Sequence, residues 1–134
     1  PKSAGNGAVA ILQAVEATPP AVGFELKCVM VLKQAPAGHG FSLATGDVNG
    51  DGNTDLVVGA PPNAAYVYLG PLDPAVPPAP IVLKRPGHPE GLPAGEFGWR
   101  VLVADIHPAP GAEVVVSAPN AVGRGGEVDA GLVF

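Results

Sequence analysis

The chain has 134 residues, 47% of them hydrophobic and 14% charged, with 19 glycines, 17 prolines and a net charge of −5. That length holds one modest domain, and an acidic balance with no basic cluster speaks against nucleic acid or an anionic membrane surface as the main partner. Glycine plus proline reaches 36 of 134 residues, a share that in an unpatterned chain suggests disorder. Short Val, Leu, Ile and Tyr runs recur at regular intervals between those residues, which points instead to an all-β fold of many short strands. A single cysteine, Cys28, permits neither an internal disulfide nor a cysteine-rich zinc site. No apolar run approaches a membrane span, so direct membrane insertion is not expected. The opening at Pro1, without an initiator Met or signal peptide, reads as a processed product or an excised segment.

The first elements in chain order are Ala8–Leu12 and Phe24–Lys33. In the second, Phe24, Leu26, Cys28, Met30 and Leu32 fall on one face and Glu25, Lys27 and Lys33 on the other, the alternation of a half-buried antiparallel strand. Cys28 is then expected to be a small core hydrophobe. Next comes a strand at Phe41–Gly46, followed by the nine residues Asp47-Val48-Asn49-Gly50-Asp51-Gly52-Asn53-Thr54-Asp55. Oxygen-bearing side chains occupy loop positions one, three, five, seven and nine, with glycine at four and six. Such a loop can fold its oxygens around one hard cation, and an all-oxygen ligand set at this density indicates calcium first. Carboxylates about 4 Å apart otherwise repel by up to roughly 4 kcal/mol per pair at an effective dielectric near 20. An EF-hand begins in the same way but needs a bidentate Glu at position twelve and a following helix. Here position twelve is Val58, within a short β-rich run stopped by Pro61, so the loop joins strand to strand. The alternative is a turn in which the Asp and Asn side chains hydrogen-bond their own backbone.

Strands follow at Asp55–Gly59, Ala65–Leu69 and Ile81–Lys84. The five prolines from Pro71 to Pro80 form either a stiff crossing or a polyproline ligand for an SH3-like partner. Beyond them the chain repeats itself. Gly40-Phe41-Ser42-Leu43-Ala44-Thr45-Gly46-Asp47 superposes on Gly98-Trp99-Arg100-Val101-Leu102-Val103-Ala104-Asp105 with an offset of 58. The same offset carries Asp55 onto Glu113 and Ala60-Pro61 onto Ala118-Pro119, without a gap. A period of this size indicates stacked supersecondary units such as propeller blades. The second unit reads as strands Trp99–Ala104, Glu113–Ser117 and Ala130–Phe134.

The runs Gly40–Gly70 and Phe97–Pro119 resemble FG-GAP repeats, the units of the integrin α-subunit β-propeller. "FG" is literal at Phe97-Gly98 and becomes His39-Gly40 in the first unit; "GAP" is literal at Gly59-Ala60-Pro61 and becomes Ser117-Ala118-Pro119 in the second. The resemblance implies four-stranded antiparallel blades and a Ca2+ ion held by the side chains of Asp47, Asn49, Asp51 and Asp55 with the carbonyl of Asn53. The second loop, Asp105–Glu113, loses the oxygen at position five and carries prolines in place of both glycines, so no calcium is expected there. The organisation expected is thus 1–34 as outer strands of a preceding blade, 35–85 as a blade with the calcium loop, and 86–134 as a degenerate blade lacking its outer strand.

Two blades and a remnant do not close a ring, since propellers typically have four to eight blades. The chain is therefore expected to be a slice of a longer propeller, or a subunit that other copies complete head to tail. Antiparallel strands put successive loops on alternate ends, so the face opposite the calcium loop carries the connections around Arg85–Glu96 and Asn120–Asp129. In the integrin resemblance that is the ligand face, where His88, Glu96, Trp99, Arg124 and Glu127 are candidate contacts for a protein or glycan. Each is otherwise a solvated loop residue, with Trp99 packed against a neighbouring blade. No histidine or serine sits in a spacing or strained elbow suited to nucleophilic catalysis, and Gly123-Arg124-Gly125-Gly126 lacks the Lys-Ser/Thr ending and helix of a phosphate loop. The expectation is a noncatalytic, calcium-stabilised propeller segment for recognition or adhesion outside the cell. The alternatives are an accessory propeller of a larger secreted enzyme, resembling glycosylphosphatidylinositol phospholipase D, and a scaffold subunit of an assembly.

Overall fold

The computed structural model describes residues 7–19, 21–33, 38–76, 78–87, 95–121 and 131–134, and among these there are strands and turns but no helix. Strands β1 (Ala8–Glu16) and β2 (Phe24–Lys33) pair as a two-stranded ribbon. Strands β3 (Ser42–Gly46), β4 (Asp55–Ala60), β5 (Ala64–Tyr68) and β6 (Ile81–Leu83) form a four-stranded sheet in sequence order. Strands β7 (Val101–Ala104), β8 (Glu113–Ala118) and β9 (Leu132–Val133) form a three-stranded sheet. All strand pairs are antiparallel. The chain is an all-β propeller segment, and each sheet is a blade or part of one.

The three sheets stack face to face because each buries apolar residues on the side toward its neighbour. Val9, Met30 and Leu32 of the ribbon pack against Leu56, Val58, Ala64, Tyr66 and Tyr68 of the four-stranded sheet to make a first core. The opposite face of that sheet, through Val57, Ala65 and Val67, meets Val101, Val116, Ala118 and Phe97 in a second core. Strands β4 and β5 are therefore covered on both faces and buried at every position. This explains why Leu56-Val57-Val58 reads as continuous apolar sequence rather than as an alternation.

The 58-residue offset is realised bond by bond. Gly40 N donates to Gly59 O as Gly98 N does to Ser117 O, and Phe41 N donates to Gly38 O as Trp99 N does to Glu96 O. The first residue of the expected strand Phe41–Gly46 and the first two of Trp99–Ala104 are consequently spent on a turn, so β3 begins at Ser42 and β7 at Val101. At the third strand of this blade, Ala130 lies outside the described residues, and Phe134 continues the pairing of β9 by exchanging two hydrogen bonds with Val116.

Strand β2 has the expected bounds but not the expected face. Ile11 pairs with Met30 and Leu12 with Cys28, so Val29 is an extra, unpaired residue. A bulge of this kind places two residues of one strand against one of the other and shifts the alternation. Met30 and Leu32 point into the first core, whereas Phe24, Leu26 and Cys28 share the face of Leu12 and Ala14 on the other side. Phe24 is 79% and Leu26 70% exposed, and Cys28 is exposed rather than core. Strand β1 also runs four residues further than its sequence signal, to Glu16, because the ribbon stays paired beyond the sheet on which it packs.

Candidate functional site: the acidic loop between β3 and β4

The loop from Asp47 to Asp55 leaves β3 and re-enters the same sheet as β4, and Gly46 pairs with Asp55 at its neck. Two glycines make the bend possible, with φ 73° at Gly50 and 85° at Gly52, the left-handed region that other residues rarely adopt. Asp47 organises the turn: its Oδ1 accepts from the backbone N–H of Gly50 at 2.7 Å and Asp51 at 3.1 Å, and its Oδ2 from Gly52 at 2.8 Å. Asp51 Oδ1 accepts from Asn53 N at 2.7 Å and Oδ2 from Asn49 Nδ2 at 2.9 Å, while Asn49 Oδ1 takes Asp51 N at 3.2 Å. The Asn53 backbone N–H, with Asn49 adding, holds the exposed Asp51 carboxyl below the usual aspartate range.

Asp55 has a different task. It is fully buried, and its Oδ2 accepts from Val48 N at 2.7 Å while Oδ1 accepts from Gly70 N at 2.8 Å. One carboxylate thereby ties the mouth of the loop to the end of β5. The repeat preserves the loop half of this tie in the second blade, where Glu113 Oε2 accepts from Ile106 N at 3.0 Å and His107 N at 3.3 Å. The Ile106 N–H foremost, with the neighbouring His107 adding, holds Glu113 below the usual glutamate range.

The two loops also touch. Asp47 O accepts from Ala112 N at 2.7 Å, and Gly111, at φ 90°, lies so close to Val48 O that a side chain there would collide with it. The proline-rich second loop therefore braces the first.

The donor set is all hard oxygen: three carboxylates, the Asn49 amide oxygen and the Asn53 carbonyl. By chemistry it suits calcium and no soft metal. In the arrangement described each of these carboxylates is hydrogen-bonded to backbone amides. Among the described residues no three His, Cys, Asp or Glu side chains gather into a cluster able to hold a metal. The backbone is thus closed into a compact bend, while the exposed Asn49–Asp51 side-chain bond is the contact that a cation would have to replace.

The candidates for the opposite face are only partly placed. His88, Arg124 and Glu127 lie outside the described residues. Glu96 adopts φ 63°, unusual for a residue other than glycine, at the position where the first blade has Gly38. Trp99, 36% exposed, packs on Phe41 with ring centroids 4.5 Å apart and planes tilted by 44°. Those two aromatics are repeat equivalents in adjacent blades, so Trp99 is seated against a neighbouring blade while leaving one side open.

His39 carried no assigned role in the sequence. It is 3% exposed, its Nε2 lies 3.0 Å from the Tyr68 hydroxyl, and its Nδ1 is buried with no hydrogen-bond partner. Its ring sits edge-on to Tyr66 and Tyr68 at 5.3 and 6.0 Å. Burial pushes its pKa below the ordinary histidine value. The signal that would have found it is the repeat itself, which superposes His39 on Phe97, 2% exposed in the second core.

Comparison with known proteins agrees with this geometry. Residues 39–69 match the FG-GAP repeat family model, which takes in the acidic loop, β3, β4 and β5. The chain is 34% identical over 96 residues to phosphatidylinositol-glycan-specific phospholipase D of Mus musculus, an alignment covering 64% of this chain and 11% of that protein. To the Homo sapiens protein of the same name it is 32% identical over 92 residues, covering 60% of this chain and 11% of the relative. The chain thus spans about a ninth of the length of these relatives.

Proposed function

From an FG-GAP repeat at residues 39–69 in an all-β blade stack, we propose that this chain is a noncatalytic, calcium-stabilised propeller segment serving recognition or adhesion outside the cell. The observation that carries the metal is the Asp47–Asp55 bend, already closed by three backbone N–H groups on Asp47 and held at its neck by buried Asp55. Calcium would be held by Asp47, Asn49, Asp51 and Asp55 with the Asn53 carbonyl. It would neutralise mutual repulsion among the acidic groups and stiffen the inner end of the blade. The opposite face, with Glu96 and the Phe41–Trp99 pair, would receive a protein or glycan ligand.

Thermal melts in calcium and in chelator test the metal. At ten times its dissociation constant the ion adds about 1.4 kcal/mol, which raises the midpoint by roughly 3–8 °C for a domain of this size. Asp51→Ala should abolish that increment while leaving the melt in chelator nearly unchanged. A midpoint indifferent to calcium sinks the reading.

A second reading is favoured by the two relatives, both of which bear the name of a phospholipase D. On it the segment is an accessory propeller of a larger secreted enzyme. A hydrolase domain in the flanking coding sequence would decide for it.

A further inference from the structure

The second loop, residues 105–113, has lost the groups that shape the first. In the first loop Asp47 takes the N–H groups of Gly50 and Gly52, at loop positions four and six. By the 58-residue offset those positions become Pro108 and Pro110, and proline has no N–H to donate. Asp105 therefore cannot organise its turn as Asp47 does. Ring-fixed φ angles at the two prolines stiffen the second loop instead, without a side chain or an ion.

Position seven has changed too, from Asn53 to Gly111, and Gly111 is pressed against the first loop. A Cβ there would lie 2.5 Å from Val48 O and 3.2 Å from Gly50 N. The approach is mutual, since a Cβ at Gly50 would stand 3.1 Å from Gly111 N and 3.5 Å from Pro110 Cβ. Beside these contacts Ala112 N donates to Asp47 O at 2.7 Å. At the neck of the loop, a Cβ at Gly46 would meet Val103 Cγ1 at 2.5 Å. Three successive residues, Pro110-Gly111-Ala112, thus lie along residues 47–50 of the neighbouring blade.

We propose that the second loop is a template for the first: Pro110-Gly111-Ala112 are positioning residues that hold residues 47–50 in their closed bend whether or not an ion is bound. The bend's own hydrogen bonds, from Gly50, Asp51 and Gly52 to Asp47, are exposed, and water competes for each of them. A loop closed by such bonds alone opens at little cost. Held from the next blade, it has less freedom left to lose on closing around a cation, and affinity rises accordingly. That consequence rests on the calcium reading above; the holding of the bend does not.

The test is amide exchange of the full 134-residue chain in chelator, paired with calcium titration calorimetry on the same samples. In the wild type the Gly50, Asp51 and Gly52 amides should be protected in chelator. Ala112→Pro removes the donor to Asp47 O, and Gly111→Ala drives a methyl group against Val48 O. Each should speed exchange at those three amides about fivefold, the scale of one hydrogen bond, and weaken calcium by a similar factor. Ala112→Ser keeps the N–H and should match the wild type. Unchanged protection in β4 and β5 shows that a variant is folded. If either variant unfolds, the pair Pro108→Gly and Pro110→Gly, which softens the second loop without a clash, should reproduce the effect. Free exchange of the wild-type loop in chelator overturns the proposal, as does wild-type protection in the folded variants. A wild type that takes up no calcium, yet whose protected loop is released by Ala112→Pro, overturns the calcium reading and upholds the template.

Discussion

Asp55 and Asp51 lie four residues apart in one loop, yet their removal should have different consequences. Asp55→Ala strips the partner from two backbone N–H groups, Val48 and Gly70, each half-buried, and should cost about 2–4 kcal/mol in chelator and more in calcium, where a ligand is lost as well. Asp55→Asn retains one acceptor oxygen and should lose about half as much, which denaturant titrations in chelator will read. His39 gives a second residue-scale prediction. In the unfolded chain it titrates near 6.5, and in the folded chain lower because burial disfavours the charged ring. Between those values the unfolded state binds more protons, so stability is lost as pH falls below about 6.5. Elsewhere in the chain Asp51 and Glu113, with depressed values, contribute stability that is lost only in more acid solution. His39→Phe, the residue that the chain itself uses at the equivalent Phe97, should flatten the melting temperature between pH 7.5 and 5. The lost bond to Tyr68 should cost about 1 kcal/mol at the upper end. An equally steep pH profile in the variant would reject the assignment.

At the scale of elements, Gly59 shows why two copies of one unit are not interchangeable. A Cβ at Gly59 would collide with Gly98 O and Ser42 Oγ, because β3 and β4 meet the turn that leads into β7. The equivalent Ser117 has no following blade among the described residues and uses its hydroxyl to receive Arg100 N at 3.0 Å. Gly59→Ala should therefore destabilise the chain by about 1–3 kcal/mol in urea titrations, whereas Ser117→Ala should cost about 1 kcal/mol for its one lost bond. The strands were legible in sequence because short Val, Leu, Ile and Tyr runs recur between glycines and prolines, and the repeat fixes equivalence without a gap. The acidic loop was legible because oxygen side chains at odd positions with glycine between them leave few other turns. What escaped was local and geometric. A bulge adds no special residue type, since Val29 is an ordinary strand residue, yet it turns Cys28, Leu26 and Phe24 to the other face. The hydrogen bonds of Phe41 and Trp99 to the preceding turn likewise shorten each inner strand without changing its apolar pattern.

For the whole molecule, the order of layers sets the order of stability. Strands β4 and β5 are covered from both sides, so exposing their amides requires losing both cores, which amounts to global unfolding. Among the described residues the ribbon is anchored through its near half, by Val9, Ile11, Met30 and Leu32, while the stretch from Leu12 to Glu16 and its partner from Phe24 to Cys28 contribute nothing to either core. An isolated two-stranded stretch is marginal in water, so those amides should open locally at a small fraction of the global free energy. Hydrogen exchange at low micromolar concentration should thus find Val57, Val58, Tyr66 and Val67 the slowest residues and the far half of the ribbon among the fastest, by several orders of magnitude. The same measurement separates local from collective effects. Calcium should slow exchange in the Asp47–Asp55 loop and, through the Asp47–Ala112 bond, in the second loop that braces it, while leaving the ribbon as fast as before. Ribbon amides as protected as those of β4 in dilute solution would mean that the sheets unfold as one unit, and that the layered account of the molecule is wrong.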